Sequence, residues 1–240
     1  MTPRKGFVDS FALKIIAIVA MTADHFGIVF WDQLPQWGRT LAFMPGGMTF
    51  PIMAFLLTVG YAHTRDVKKY GLRLLVFAAI ALVPFVWAFD MMELNVLFTL
   101  LLGLLAIYLY DHMKNRPLLM FALLAIFLVS LKCDWAGIGV VMVLCYHVIK
   151  QPVARVVVPV MLAWFAIGGS TVEVVLANPT VDLMWYMPYL AYPFIGCTAT
   201  IPLLLAYNGR RGRPLKYFFY AYYPAHITLL ALMHRILYGL

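Results

Sequence analysis

The sequence predicts an all-α, polytopic membrane protein of about nine transmembrane helices, with its N-terminus in the cytoplasm and its C-terminus outside. Three observations carry this. Of the 240 residues, 64% are apolar and only 12% are charged, against about 25% charged in soluble domains. Apolar runs close to the ~20 residues that a bilayer crossing needs recur along the whole chain. Strand alternation is absent, and an open sheet edge cannot sit in lipid. No linker or low-complexity tract divides residues 1–240, so a single integral-membrane domain is expected, and no cleavage site of a signal peptide follows the first apolar run.

The spans fall at about 11–31, 47–63, 71–90, 94–110, 117–132, 135–150, 153–172, 183–207 and 217–238. Asn95 opens the fourth near the outer surface. The fifth and sixth are short for a full crossing, so they either tilt little or form a half-buried hairpin. Asp134 precedes Trp135, Gly137 and Gly139, where small residues allow close approach of helices. Pro84, Pro159, Pro188, Pro193, Pro202 and Pro224 fall inside spans and are expected to kink them and free carbonyls. The eighth span, with three of these prolines, should be the most distorted.

The 18 Lys and Arg set the orientation. Fourteen lie at the N-terminus and in the even-numbered loops: Arg4, Lys5, Arg65, Lys68, Lys69, Arg73, Lys114, Arg116, Lys150, Arg155, Arg210, Arg211, Arg213 and Lys216. Only Arg39, Lys132 and Arg235 lie on the other side, and Lys14 is inside the first span. This bias places the N-terminus in the cytoplasm. Asp32, Asp90, Glu93, Asp134, Glu173 and Asp182 lean to the outer side. The net charge of +8 is therefore a topology signal, and no nucleic-acid partner is expected. Cys133, Cys145 and Cys197 are too widely spaced to form a metal motif.

Ionisable groups inside a membrane helix are costly and mark function by default. The first span, FALKIIAIVAMTADHFGIVFW, holds Lys14, Asp24 and His25. Eleven residues at about 100° each bring Lys14 and His25 onto one face, about 16 Å apart in rise. Asp24 points about 100° away from His25, so the two neighbours do not pair and Asp24 needs a partner elsewhere. An imidazole titrates near neutrality and can act as general base; a structural histidine bonded across helices is the plainer reading. Lys14 either snorkels to the headgroups or meets a phosphate entering from the cytoplasm. His63, Arg65 and Arg73 can complete a basic cytoplasmic vestibule with it. His226 falls near mid-bilayer one turn after Tyr222 and Tyr223, which suggests one polar cavity between the first and last helices. Arg39, Asn95 and Asp134 are expected as caps or anchors that can also orient an acceptor. No phosphate-binding loop or dinucleotide fingerprint is present.

The blocks LKIIAIVAMTADHFG, FPIMAFLLTVGYAHTRDVKKYGLRL, NVLFTLLLGLL and KYFFYAYYPAHI, in this order and spacing, resemble the TraX family over nearly the whole chain. The resemblance implies an inner-membrane, acetyl-CoA-dependent N-acyltransferase of bacteria that acts on a peptide or pilin N-terminus. The family is related to a wider group of transmembrane acyltransferases, whose bacterial family-three members carry Arg or Lys, ten residues, then His in the first span; Lys14 and His25 fit that spacing. By resemblance, His25 is catalytic, as base or acyl carrier, with Asp24 and His226 beside it. Lys14, His63, Arg65 and Arg73 would handle acetyl-CoA, and Arg39, Asn95, Tyr222 and Tyr223 the acceptor. Three features depart from the family pattern: LAFMPGGMT is inserted between Gly38–Arg39 and Phe50–Pro51, Val59 replaces an acidic residue, and Leu82–Val83 replace a Ser-Glu pair. The acceptor therefore stays open. O-acylation of a glycan or lipid is the alternative within enzymes, and a small transporter or a non-catalytic assembly factor is the alternative outside them.

Overall fold

In the computed structural model, which describes residues 6–178 and 180–239 together with the backbone of Lys216, the chain is all-helical. Arg4, Lys5 and the Lys216 side chain, all counted among the basic residues, lie outside the described parts. Twelve α-helical segments stack into nine continuous helices among the described residues. They are α1 (Ser10–Val29), α2 (Gln36–Phe43) running through a 3₁₀ turn into α3 (Thr49–His63), α4 (Val67–Phe89), α5 (Val96–His112), α6 (Arg116–Ser130) and α7 (Ala136–Val148). They continue with α8 (Pro152–Ala163) joined to α9 (Gly169–Ala177), α10 (Leu183–Ala191) joined to α11 (Thr198–Leu205), and α12 (Lys216–Tyr238). Five of these helices are long and apolar enough to cross a membrane, and α5, α6 and α7 are shorter apolar helices. The protein is thus a polytopic membrane protein.

Side-chain caps start the helices. Asp9, Asp66, Asn95, Asn115, Gln151 and Asp182 each accept a backbone N–H of the first turn of α1, α4, α5, α6, α8 and α10, which satisfies donors that a helix start leaves orphaned. The prolines act as expected in the eighth span: a π-helical turn, Tyr192–Cys197, separates α10 from α11 around Pro193. A second π turn, Trp164–Gly168, follows Pro159 in the seventh. Pro84 and Pro224 are absorbed within α4 and α12 without a break.

The inserted segment is not a plain loop. Residues 36–43 are helical, and Met44–Met48 continue as a 3₁₀ turn with Pro45 in its first turn, where a missing N–H costs nothing. Gly46 and Gly47 let this turn press onto α1 and onto the Tyr192 carbonyl; a Cβ on Gly46 would overlap the Asp24 carboxylate.

Two short backbone pairings tie distant loops. Val8 pairs in parallel with Tyr207, with Val8 N–H to Ala206 O at 3.1 Å, Asn208 N–H to Val8 O at 2.9 Å and Ser10 N–H to Arg210 O at 2.9 Å. The segment before α1 is thereby fixed to the loop before α12. Leu94 pairs with Cys133, with Leu94 N–H to Lys132 O at 2.9 Å and Asp134 N–H to Leu94 O at 2.7 Å. This draws the α4–α5 loop onto the α6–α7 loop. The core between these ends is apolar, built around Leu13, Phe50, Ile52, Ile107, Met142, Tyr146, Leu204 and Ile227, all essentially inaccessible.

Candidate active site

The first and last helices lie side by side and run in the same direction. Along their seam Phe11 meets Phe219, Thr22 Oγ1 meets the Tyr222 hydroxyl at 2.7 Å, His25 meets His226, and Phe30 meets His234 and Tyr238. The helical register that puts Lys14 and His25 on one face of α1 thus faces both of them toward α12.

At the centre of the seam His25 Nδ1 is 2.7 Å from His226 Nε2, and His226 Nδ1 is 2.8 Å from the Tyr222 carbonyl oxygen. A carbonyl only accepts, so His226 Nδ1 carries the proton. In the neutral pair His226 Nε2 then accepts, and His25 Nδ1 donates to it. His25 Nε2 is left with its lone pair, and His25 lines an internal cavity. The tautomer of His25 is therefore set by a backbone carbonyl two hydrogen bonds away. The rings are held by aromatic packing: Phe89 edge-on to His25 at 5.0 Å, Tyr223 at 6.0 Å, and Tyr222 stacked on His226 at 5.0 Å. Both histidines are buried.

The cavity encloses about 410 Å³ and is lined by α1, α2, the 3₁₀ turn, α4, α10 and the two bridged loops, within the usual size of small-ligand sites. Its walls are aromatic: Trp31, Phe43, Phe50, Phe85, Phe89, Trp135, Tyr189 and Tyr192. Three carboxylates point to it, from Asp24, Glu93 and Asp134. The loop bridge brings Glu93 and Asp134 together. Burial, and then the Glu93 charge, push the Asp134 carboxyl up to about 6. Next to it Trp135 has φ +64° and Ala136 φ +36°, a left-handed conformation that costs non-glycine residues about 1–2 kcal/mol each. It aims the Trp135 ring onto Phe50, stacked at 4.4 Å.

The remaining expected residues separate into distinct places. Asp24 and His25 do not hydrogen-bond to each other, and no other helix supplies Asp24 Oδ1 with a partner. Lys14 lies at the basic face, 5.1 Å over the Phe219 ring, with the Arg211 guanidinium close enough to act on its charge. Arg73 stacks 5.6 Å over Tyr70 and reaches the Tyr220 hydroxyl, so it flanks the same end of α12. His63 and Arg65 are exposed on the short α3–α4 turn, and His63 Nδ1 bonds back to the Val59 carbonyl at 2.8 Å. Lys14 and Arg211 thus lie together beside Phe219, and Arg73 lies at the neighbouring Tyr220 of the same helix end. Arg211 belonged to a loop that sequence alone could not fold back; only the Val8–Tyr207 pairing puts it there. Tyr222 gives its hydroxyl to Thr22 and lines a lateral groove with Val19, Ala23, Phe26, Ala42 and Leu230. Tyr223 is buried behind His25. Arg39 clamps the outer turn, with its Nε donating to the Trp31 carbonyl at 2.8 Å between the Trp31 and Trp185 rings. Asn95 is fully buried as the α5 cap and donates to the Ala78 carbonyl at 2.8 Å. Neither Arg39 nor Asn95 lines the cavity. Glu93 was legible only as part of the acidic lean of one side, whereas Asp134 was also expected as a cap or loop anchor that could orient an acceptor.

A helical membrane bundle with a buried histidine relay under an acid-lined cavity belongs to the class of polytopic membrane proteins that keep ionisable chemistry within the bilayer. The chain belongs to the TraX family: the TraX protein family matches residues 10–234. It is 31% identical over 239 residues to the probable fimbrial assembly protein FimC, serogroup H1, of Dichelobacter nodosus, an alignment covering 92% of this chain and 94% of that protein. No solved structure matches.

Proposed function

We propose that this protein is an acetyl-CoA-dependent N-acyltransferase of the bacterial inner membrane, acting on a primary amine such as the N-terminus of a fimbrial subunit. The observation that carries the proposal is the relay Tyr222 carbonyl, His226, His25, which leaves an unprotonated ring nitrogen at the floor of the cavity. Lys14, Arg73 and Arg211 supply the cationic surface for the coenzyme A phosphates, since charge-assisted contacts to phosphate are the strong ones. The pantetheine arm follows the α1–α12 seam, past Thr22 and Tyr222, to bring its thioester to His25. Membership in the TraX family and the printed name of the Dichelobacter nodosus relative, a fimbrial assembly protein, support the acceptor class.

In the reaction, the acceptor enters the cavity as an ammonium ion and, once bound, releases one proton to solvent. The amine nitrogen attacks the thioester carbonyl carbon; the C–N bond forms and the C–S bond breaks. His25 Nε2 takes the second proton from nitrogen and passes it to the departing thiolate, which leaves as free coenzyme A. His226 is a positioning residue, because it touches His25 and not the reacting atoms. Purified protein with radiolabelled acetyl-CoA and a peptide amine tests this. Wild type releases coenzyme A and labels the peptide, and His25→Ala binds acetyl-CoA without releasing it. Folded wild type that neither binds nor cleaves acetyl-CoA refutes the proposal.

A further inference from the structure

The cavity above His25 carries an unbalanced charge. Asp24, Glu93 and Asp134 line it, and among the described residues no Lys or Arg does. Asp24 is the sharpest case: it is only 9% exposed, its Oδ1 has no hydrogen-bond partner, and Gly46 packs so close that a Cβ there would overlap the carboxylate. An ionised carboxylate left so costs several kcal/mol, a cost that either a proton or a cationic partner removes. The site is not built for a metal ion, since among the described residues no three of His, Cys, Asp and Glu converge closely enough to hold one. What remains is a larger cation with N–H donors. The surrounding rings favour the same guest, because aromatic faces attract ammonium groups and also pack apolar side chains. The mouth lies at the α4–α5 loop, where Met91 and Glu93 are exposed.

We infer that this cavity is a subsite for an organic ammonium ion carrying an apolar group, in which Asp24 receives the ammonium and Glu93 and Asp134 attract it through the mouth. Where the protein acts as an acyltransferase, the inference rests on that reading for one point only: the bound ammonium is the acceptor. Positive charge, and not merely the presence of a nucleophile, then selects the substrate. A hydroxyl acceptor of a glycan or a neutral lipid leaves the buried carboxylate unmatched, and sites built to pair a polar group reject partners that lack it. Glu93 and Asp134 are specificity determinants, held together by the Leu94–Cys133 bridge. Burial first, and then the Glu93 charge, raise the Asp134 carboxyl, and an incoming cation offsets both.

The test is equilibrium dialysis of the full chain in detergent against radiolabelled phenylalaninamide, with neutral N-acetylphenylalaninamide as competitor. Saturable binding that the neutral analogue does not displace is expected. Asp24→Asn weakens it at least tenfold, and Glu93→Gln, a change at an exposed and structurally undemanding position, weakens it about threefold. Glu173→Gln, on an exposed part of α9 away from the cavity, leaves it unchanged and controls for diffuse surface charge. Displacement by the neutral analogue, no saturable binding to folded wild type, or Glu93→Gln and Asp24→Asn both within twofold of wild type would overturn the inference. The two readings fail separately. Ammonium binding with no coenzyme A release removes the acyltransferase and keeps the subsite; coenzyme A release with acetylation of an amine, but with no saturable ammonium binding and no effect of Asp24→Asn, removes the subsite and keeps the acyltransferase.

Discussion

Replacing His226 separates the tautomer argument from a merely structural one. In His226→Phe the ring is kept, so the packing against Tyr222 and Tyr223 is largely preserved, but the acceptor for the His25 Nδ1 proton at 2.7 Å is gone. A buried donor left unpaired costs about 1–3 kcal/mol. That penalty falls on the tautomer with its lone pair toward the cavity, and at 1.36 kcal/mol per decade it corresponds to a loss of about 5- to 150-fold in its population. The turnover number for acetyl transfer should fall by this range, with little change in acetyl-CoA binding, because Lys14, Arg73 and Arg211 are untouched. His226→Gln restores an acceptor oxygen near the position of Nε2 and should recover much of the loss. Coenzyme A release in single-turnover format measures the rates, and nitrogen-15 shifts of labelled histidine report which ring nitrogen of His25 carries the proton. A His226→Phe protein that keeps turnover within twofold, or that loses it with the His25 tautomer unchanged, would refute the reasoning.

Three further outcomes follow from the geometry. Lys14→Met should raise the KM for acetyl-CoA about fivefold, the equivalent of ~1 kcal/mol, and the effect should shrink with added salt; Arg65→Ala, at an exposed position, should stay within twofold. Gly46→Ala forces a methyl group onto the Asp24 carboxylate, so a thermal unfolding scan should show a loss of about 1–3 kcal/mol, with the KM for the amine raised. Asp134 titrates near 6 when folded and near 3.9 in an unfolded chain, so its neutral form favours the folded state. That contribution is full below about pH 4 and disappears as pH rises through 6. Glu93 and Asp24 face the same cavity, and the Glu93 charge acts on Asp134. Melting curves between pH 4 and 7 should lose part of their slope in Asp134→Asn, and an unchanged slope would show that Asp134 is not buried as described.

Much of the architecture was legible because bilayer physics leaves few options. Nine apolar runs give nine helices, and the helical period alone aligned Lys14 with His25. The depth of His226 matched that of His25, so their meeting could be anticipated without knowing the geometry of the pair. The cavity walls could not. Phe43 and Gly46 arrive through an inserted segment that composition marks only as Pro- and Gly-rich, and its continuous helical run depends on packing against α1 and Tyr192. Asp134 and Glu93 converge through a two-loop backbone pairing that has no sequence signature. The basic cluster was half legible: Lys14 and Arg73 stand there, but His63 and Arg65 point to solvent, and Arg211 takes their place through a loop held by Val8. Asn95 and Arg39 turned out to secure helix starts and turns.

The histidine pair spans 201 residues of sequence, and its partners sit on the first and the last helices. During synthesis His25 is inserted at the outset, yet its hydrogen-bond acceptor appears only when the final helix leaves the ribosome and docks. The same event closes the Tyr207–Arg210 segment over Val8 and delivers Arg211 to Lys14. A fragment that ends just before Lys216 therefore contains most of the bundle and none of the assembled histidine pair. On the acyltransferase reading proposed above, docking of the last helix is the step that completes the site.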